Sequence, residues 1–429
     1  MIDRWFGVTA SNSSLRTEII AGMTTYLTMA YIVFVNPVIL AEAGMDKGAV
    51  FVATCLASAL ATLLMALLAN YPLALAPGMG INAYFTYGVV KGLHYTWEVA
   101  LGAVFLSGCL FLMISLTRIR SWIVDAIPLS QKMAISAGIG LFLGIIALKD
   151  GGIIAASSDT LVTLGDVKAP TTLLASAGFL VMVALDRRQV PGAIIIAVLG
   201  TAAAGILLGL SPFFGIAAAP PSLTPTFLRL DLRGALDAGV ATIVFVFLFV
   251  DLFDNTGTLI GVAHRAGLLD PEGRLPRVER AFAAASLAAM GGALIGTSTV
   301  TSYIESAAGV KAGGRTGLTG VTVALLFLLT LFLAPLAQSV PLYATAPALL
   351  FVACLMARGF AEIDWEDPTE YAPAVVTALA MPLTFSIANG IAFGFISYAA
   401  VKLLSGHFAE ASPSMLVLAL LFVVKYAFF

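Results

Sequence analysis

Asp251 and Asp254 lie inside AGVATIVFVFLFVDLFDNTGTLIGVA (Ala238 to Ala263), an apolar run long enough to cross a bilayer as a helix. A third carboxylate, Glu305, lies in STVTSYIESAAGV, between stretches that also read as membrane-embedded. Placing one ionised group at bilayer depth costs about 2.5–3.5 kcal/mol on insertion scales. Carboxylates retained at that cost usually face a watery cavity or a conducted species. The rest of the chain fits a membrane setting: 60% of residues are hydrophobic, 11% are charged and mean hydropathy is +1.01. A soluble domain carries about 25% charged residues, so the composition specifies an all-α polytopic membrane protein.

Hydropathy divides the chain into about fourteen segments, seven before and seven after a Pro-rich stretch at Ser211 to Pro225 that reads as a linker. The opening residues MIDRWFGVTASNSSLR lack the apolar core of a signal peptide. The first span, Glu18–Leu40, is therefore expected to act as its own insertion signal. With the N-terminus inside, most of the 22 Lys and Arg fall in cytoplasmic loops, among them Arg187, Arg188, Arg277, Arg280, Lys311 and Arg315. That is the bias expected of inner-membrane loops. The halves also echo one another faintly and in order: EIIAGMTTY with ALDAGVATI, and IPLSQKMAISAG with VPLYATAPALLF. With seven segments per half the second copy must enter from the opposite face, giving a 7+7 inverted repeat. A last apolar stretch, Ser414 to Phe429, is either a further span or an interfacial helix. Cys55, Cys109 and Cys354 all lie in apolar spans without disulfide or metal-ligand spacing, and read as small buried hydrophobes.

Segments 3 and 10 are too short to cross as simple helices. YPLALAPGMGINAYFTY (Tyr71 to Tyr87) predicts an extended piece near Leu73–Ala76, a break at Pro77, Gly78 and Gly80, then a half-helix capped by Asn82. Its repeat partner IGTSTVTSYIESAAGV (Ile295 to Val310) has a hydroxylic, β-branched run suited to an extended piece, followed by a helix. Interruptions at corresponding places of an inverted repeat mark a binding site at the bilayer midplane. Asp251 and Asp254, three residues apart, share a helical face near it. Ionised carboxylates are pure acceptors and suit ligands rich in N–H donors, such as purines or pyrimidines. His94, His264 and His407 all fall in or beside loops, so any proton coupling is expected to run through Asp251, Asp254 and Glu305. No basic stripe suggests a nucleic-acid partner. No H-E-x-x-H or G-x-S-x-G motif suggests an enzyme, and no metal or cofactor is expected.

RTEIIAGMTTYLTMAYIVFVNP, APGMGINAYFTY, FVDLFDNTGTLIGVA and GTSTVTSYIESAAGVKAGGRTGLT together resemble the AzgA-type hypoxanthine/guanine/adenine permeases of the nucleobase–ascorbate transporter superfamily. The resemblance implies proton symport of purine bases by an elevator-like movement, commonly in a homodimer. It also implies a core domain (1–116 and 238–335) and a gate domain (117–210 and 336–429) around the linker at 211–237. By analogy Glu305 holds the base, Asp254 matches a carboxylate of the uracil/xanthine branch, and Asp251 matches an acidic position of the purine branch. Asn82 and Gly80 match positions tied to recognition, with Thr25 and Phe85 near the cavity. Asn255 and Thr258 stand where the uracil/xanthine branch often has histidines, which favours a purine. The alternatives are a uracil/xanthine-type transporter, or an anion transporter on the same fold, which the three acidic residues oppose.

Overall fold

The computed structural model describes residues 2–117, 127–268, 275–408, 410 and 412–428. Among the described residues it is mainly helical, with two short antiparallel strand pairs. A surface turn of helix (α1, Ile2–Phe6) precedes α2 (Leu15–Met29), α3 (Ile32–Ala41) and α4 (Lys47–Leu68). Strand β1 (Leu75–Pro77) then leads into α5 (Met79–Ala83), a π-helix (Tyr84–Gly92) and α6 (Trp97–Ser115). Next come α7 (Leu129–Asp150), the hairpin β2 (Ile154–Ser157) and β3 (Leu161–Leu164), α8 (Pro170–Arg187) and α9 (Ala193–Leu207). After the linker come α10 (Leu232–Ala235), α11 (Ala241–Ala266), α12 (Val278–Ile295), β4 (Val300–Ser302) and α13 (Ser306–Lys311). The chain ends with α14 (Gly317–Thr330), α15 (Ala334–Gln338), α16 (Leu342–Ala357), α17 (Pro368–Thr384), α18 (Ile387–Leu404) and α19 (Pro413–Phe428).

Among the described residues nine helices are long and apolar enough to span a bilayer alone. Other expected segments take shorter forms: α9 is a short apolar helix, and segments 3 and 10 are strand–helix composites. Local chemistry sets many of the helix starts. Ser14, Asp46, Thr96, Thr316, Asp367 and Ser386 each accept an amide hydrogen bond of the first turn with the side chain. The lipid-facing sides are apolar; Leu180, Leu325 and Leu329 are all more than half exposed.

Segment 1 forms one 27-residue span, Leu15–Ala41, in two helical pieces that meet at Ala30–Tyr31, where both residues keep right-handed helical dihedrals. Two expectations require correction. Asn82 is not a cap. The helix starts at Met79 with Gly78 at the cap (φ −74°, ψ 123°), and the Asn82 amide already bonds the Gly78 carbonyl at 2.8 Å. A Cβ on Gly78 would press on Thr301 Cγ2 at 2.7 Å, so the closeness of β1 to β4 fixes the turn there. Of the cysteines only Cys55 is buried, and Cys354 is exposed. A lipid-facing helix surface is as apolar as the interior, so hydropathy does not separate the two.

The chain packs as two compact units. One comprises Met1–Leu116 with Lys149–Ala348, the other Thr117–Leu148 with Leu349–Phe429. The first is built around β1 and β4. They pair antiparallel, Leu75 opposite Ser302, Ala76 opposite Thr301 and Pro77 opposite Val300. The pairing extends at both ends, through Gly78 N–H to the Thr299 carbonyl and Tyr303 N–H to the Ala74 carbonyl, each at 3.0 Å. On the outer side of β1 the Thr62 hydroxyl of α4 accepts from Leu75 N–H at 2.9 Å and donates to its carbonyl at 3.1 Å. The Ser306 hydroxyl accepts from Ala74 N–H at 3.0 Å. Non-helical backbone at membrane depth survives only when the protein satisfies it in this way.

Two further devices hold this unit. Glu18 of α2, fully buried, accepts from the amides of Arg315 (3.0 Å), Thr316 (3.3 Å) and Thr319 (3.2 Å) and from the Thr319 hydroxyl (2.5 Å). It thereby caps α14 from another segment. The linker, in turn, is fastened rather than free. Phe214 N–H bonds the Ser339 hydroxyl, Ala218 N–H the Phe332 carbonyl, Leu228 N–H the Leu294 carbonyl and Asp231 N–H the Glu98 carbonyl, at 2.8–2.9 Å. In the second unit Lys402 of α18, fully buried, pairs with Glu370 at 2.7 Å and Glu410 at 2.5 Å and donates to Thr369 at 2.7 Å.

Removing the Glu18 carboxylate strands buried amides at the start of α14. We expect Glu18→Ala to cost about 2 kcal/mol, seen as a lowered melting temperature in detergent, while Glu18→Gln retains part of that stability.

Candidate functional site

The β1–β4 crossing brings the two interrupted segments together and places α11 beside them. Asn255 of α11 is the joint. Its side-chain Nδ2 donates to the Asp251 carboxylate at 2.7 Å, one helical turn back, and to the Asp251 carbonyl at 2.9 Å. Its Oδ1 accepts from the Ser302 amide at 3.0 Å and the Ser302 hydroxyl at 2.5 Å. One amide therefore ties the acidic helix to the strand of segment 10 and orients a carboxylate as well.

The two aspartates sit in different surroundings. Asp251 is fully buried, whereas Asp254 is exposed, with the Thr301 hydroxyl 3.4 Å from its Oδ2. A carboxylate exposed in the middle of a membrane-spanning helix must face water or a ligand rather than lipid. Glu305 is half-buried, in the turn between β4 and α13. Asp251 and Asp254 lie on one helix, and that helix packs against the half-helix that Glu305 precedes. Among the described residues no set of three or more His, Cys, Asp or Glu is arranged to hold a metal ion.

Glu305 is placed by close helix packing. A Cβ on Gly309 of α13 would overlap the Thr25 hydroxyl and the Ala21 carbonyl of α2, so only glycine lets the half-helix lie this close. Thr25 is fully buried at that contact. Asn82, also fully buried, accepts a short hydrogen bond from the Ser298 hydroxyl, and its Nδ2 has no partner among the described residues. Gly80 is half-buried in α5, and Phe85 is fully buried in the π-helix that follows. Asp254 and Asn82 thus each meet a side chain of segment 10, Asp254 at Thr301 and Asn82 at Ser298.

Hydropathy and motif reading missed Tyr31. Its hydroxyl donates to Glu305 Oε1 at 2.8 Å, the one side-chain hydrogen bond that carboxylate receives among the described residues. The bridge that Asn255 makes leaves no mark in the motif, because its partner Ser302 lies in another segment.

An acidic group at membrane depth, beside paired strand–helix breaks from two halves of the chain, is the site architecture of a membrane transporter. The comparisons agree. The model of the permease family Xan_ur_permease matches residues 16–393. The chain belongs to this permease family. Over its whole length the permease is 52% identical to a permease of Methanocaldococcus jannaschii, covering 98% of that protein. It is 46% identical to the adenine permease AdeP of Escherichia coli (strain K12), covering all of this chain and 96% of AdeP. It is 44% identical to the guanine/hypoxanthine permease PbuO of Bacillus subtilis (strain 168), over 98% of this chain and 99% of PbuO. Among solved structures, the transmembrane domain of the cyanobacterium bicarbonate transporter BicA superposes with a TM-score of 0.67. That match has 16% identity and covers 86% of this chain and 97% of that one. At that identity the likeness concerns the fold alone: the permease is a multi-pass membrane protein on the inverted-repeat architecture BicA shares.

Asn255→Leu keeps the side-chain volume but leaves the Ser302 amide and the Asp251 carboxylate without this partner. We expect it to cost about 2–3 kcal/mol, measured as a drop in melting temperature in detergent.

Proposed function

We propose that this permease carries purine bases, hypoxanthine, guanine or adenine, across the cell's inner membrane in symport with protons. The observation that carries the reading is the acidic group itself: Asp254 exposed and Glu305 half-buried at membrane depth. Such acceptors match the N–H-rich edge of a purine and repel an anion. The adenine and guanine/hypoxanthine specificities named for AdeP and PbuO support the same substrate class.

In this reading Glu305 and Asp254 hydrogen-bond the base edge, and Asp251, shielded from solvent, couples protonation to binding. Asn82 Nδ2, which lacks a protein partner, supplies a donor for a ring nitrogen or carbonyl. Gly80, Thr25 and Phe85 shape the walls. Transport then follows an elevator-type movement of a core (1–116 and 238–335) relative to a gate (117–210 and 336–429). The N-terminus is cytoplasmic and the working unit a homodimer.

The test uses purified protein in liposomes with an imposed pH gradient, inside alkaline. Labelled hypoxanthine, guanine and adenine should accumulate above equilibrium and lose that accumulation with a protonophore; uracil and sulfate should not accumulate. Uptake indifferent to the gradient would overturn the proton coupling, and sulfate uptake without purine uptake would overturn the substrate class. Glu305→Gln should cut purine uptake at least tenfold at equal protein level. Thermal stabilisation reads binding separately: a hundredfold excess over Kd stabilises by about 2.7 kcal/mol. Unchanged purine stabilisation in Glu305→Gln would remove Glu305 from the site.

A further inference from the structure

Glu305 carries three side-chain torsions, and a free glutamate loses rotamer freedom when it is ordered. In this structure one of its oxygens is already held. Tyr31 donates to Oε1 at 2.8 Å, and Tyr31 is itself 1% exposed, so neither water nor rotation competes strongly for its hydroxyl. The placement of Tyr31 is equally specific. It sits at the junction of α2 and α3, with its carbonyl accepting from the amides of Phe34 and Val35 at 3.0 Å as α3 begins. From the same segment the Thr28 hydroxyl lies 3.4 Å from the Glu305 carbonyl. Segment 1 therefore holds both the backbone and the carboxylate of Glu305.

We infer that Tyr31 is a positioning residue for substrate recognition: it fixes Glu305 Oε1, so that Oε2 is presented to an N–H of the base. A tyrosine hydroxyl has a single proton to donate, and an ionised carboxylate accepts at both oxygens. The Tyr31 bond thus leaves one oxygen for the ligand and selects its direction. The inference rests on the reading that Glu305 takes the base.

Tyr31→Phe removes the donor and keeps the ring. Full-length protein in detergent is titrated with hypoxanthine by thermal shift. The expected result is about tenfold weaker binding, with the melting temperature of the ligand-free protein unchanged. In liposomes KM should rise by a similar factor while the maximal rate holds. The same change is then made in Glu305→Asp, whose shorter side chain withdraws from the hydroxyl; there Tyr31→Phe should alter affinity less than twofold. Equal losses in both backgrounds, a lowered ligand-free melting temperature with unaltered affinity, or a fall in maximal rate alone would each assign Tyr31 to packing and overturn the inference. If Glu305→Asp binds too weakly to titrate, the KM against maximal-rate split decides. Glu305→Gln separates the two levels of the reading. Normal hypoxanthine binding in that variant refutes the site itself, whereas lost binding there with a silent Tyr31→Phe refutes only the role of Tyr31.

Discussion

Everything at the site depends on satisfying backbone hydrogen bonds where there is no water to satisfy them. A helix does so internally, and that is why most of this chain is helical. A site built only from continuous helices would offer side chains but no openings in the backbone. Here β1 and β4 each give up helical bonding over three residues and recover it from the other. Thr62 and Ser306 complete the exchange with side-chain hydroxyls. The crossing brings residues from widely separated parts of the sequence, Asn82, Asp254 and Glu305, into one neighbourhood.

The carboxylates then differ because their supports differ. Asp251 is enclosed and bonded to an amide of its own helix; Asp254 is open; Glu305 is half-open and held by a buried phenol. Three acids at one depth would otherwise repel one another to no purpose. Graded exposure gives each a distinct relation to solvent.

Much of this was legible in the sequence, and the physical reason is plain. Aspartate and glutamate in apolar runs are costly enough to stand out. Pro77, Gly78 and the run Thr297 to Ser302 announce non-helical backbone by their own stereochemistry. What was not legible depends on partners far away in the chain. Asn82 looked like a cap because Asn caps helices well, but the proximity of Thr301 moved the turn to Gly78. Tyr31 is one aromatic among many until Glu305 lies within 2.8 Å of it. Glu18 reads as a polar start to a span, and only the fold reveals it as the cap of α14.

The linker between the halves has a consequence of its own. Four backbone amides along it, from Phe214 to Asp231, are stitched to α6, α12 and the chain around α15. The seam between the two repeats is thus a bound strip lying on one body rather than a slack thread. Severing a single peptide bond within it would leave both free ends moored, and the two halves would still recognise each other through the strip.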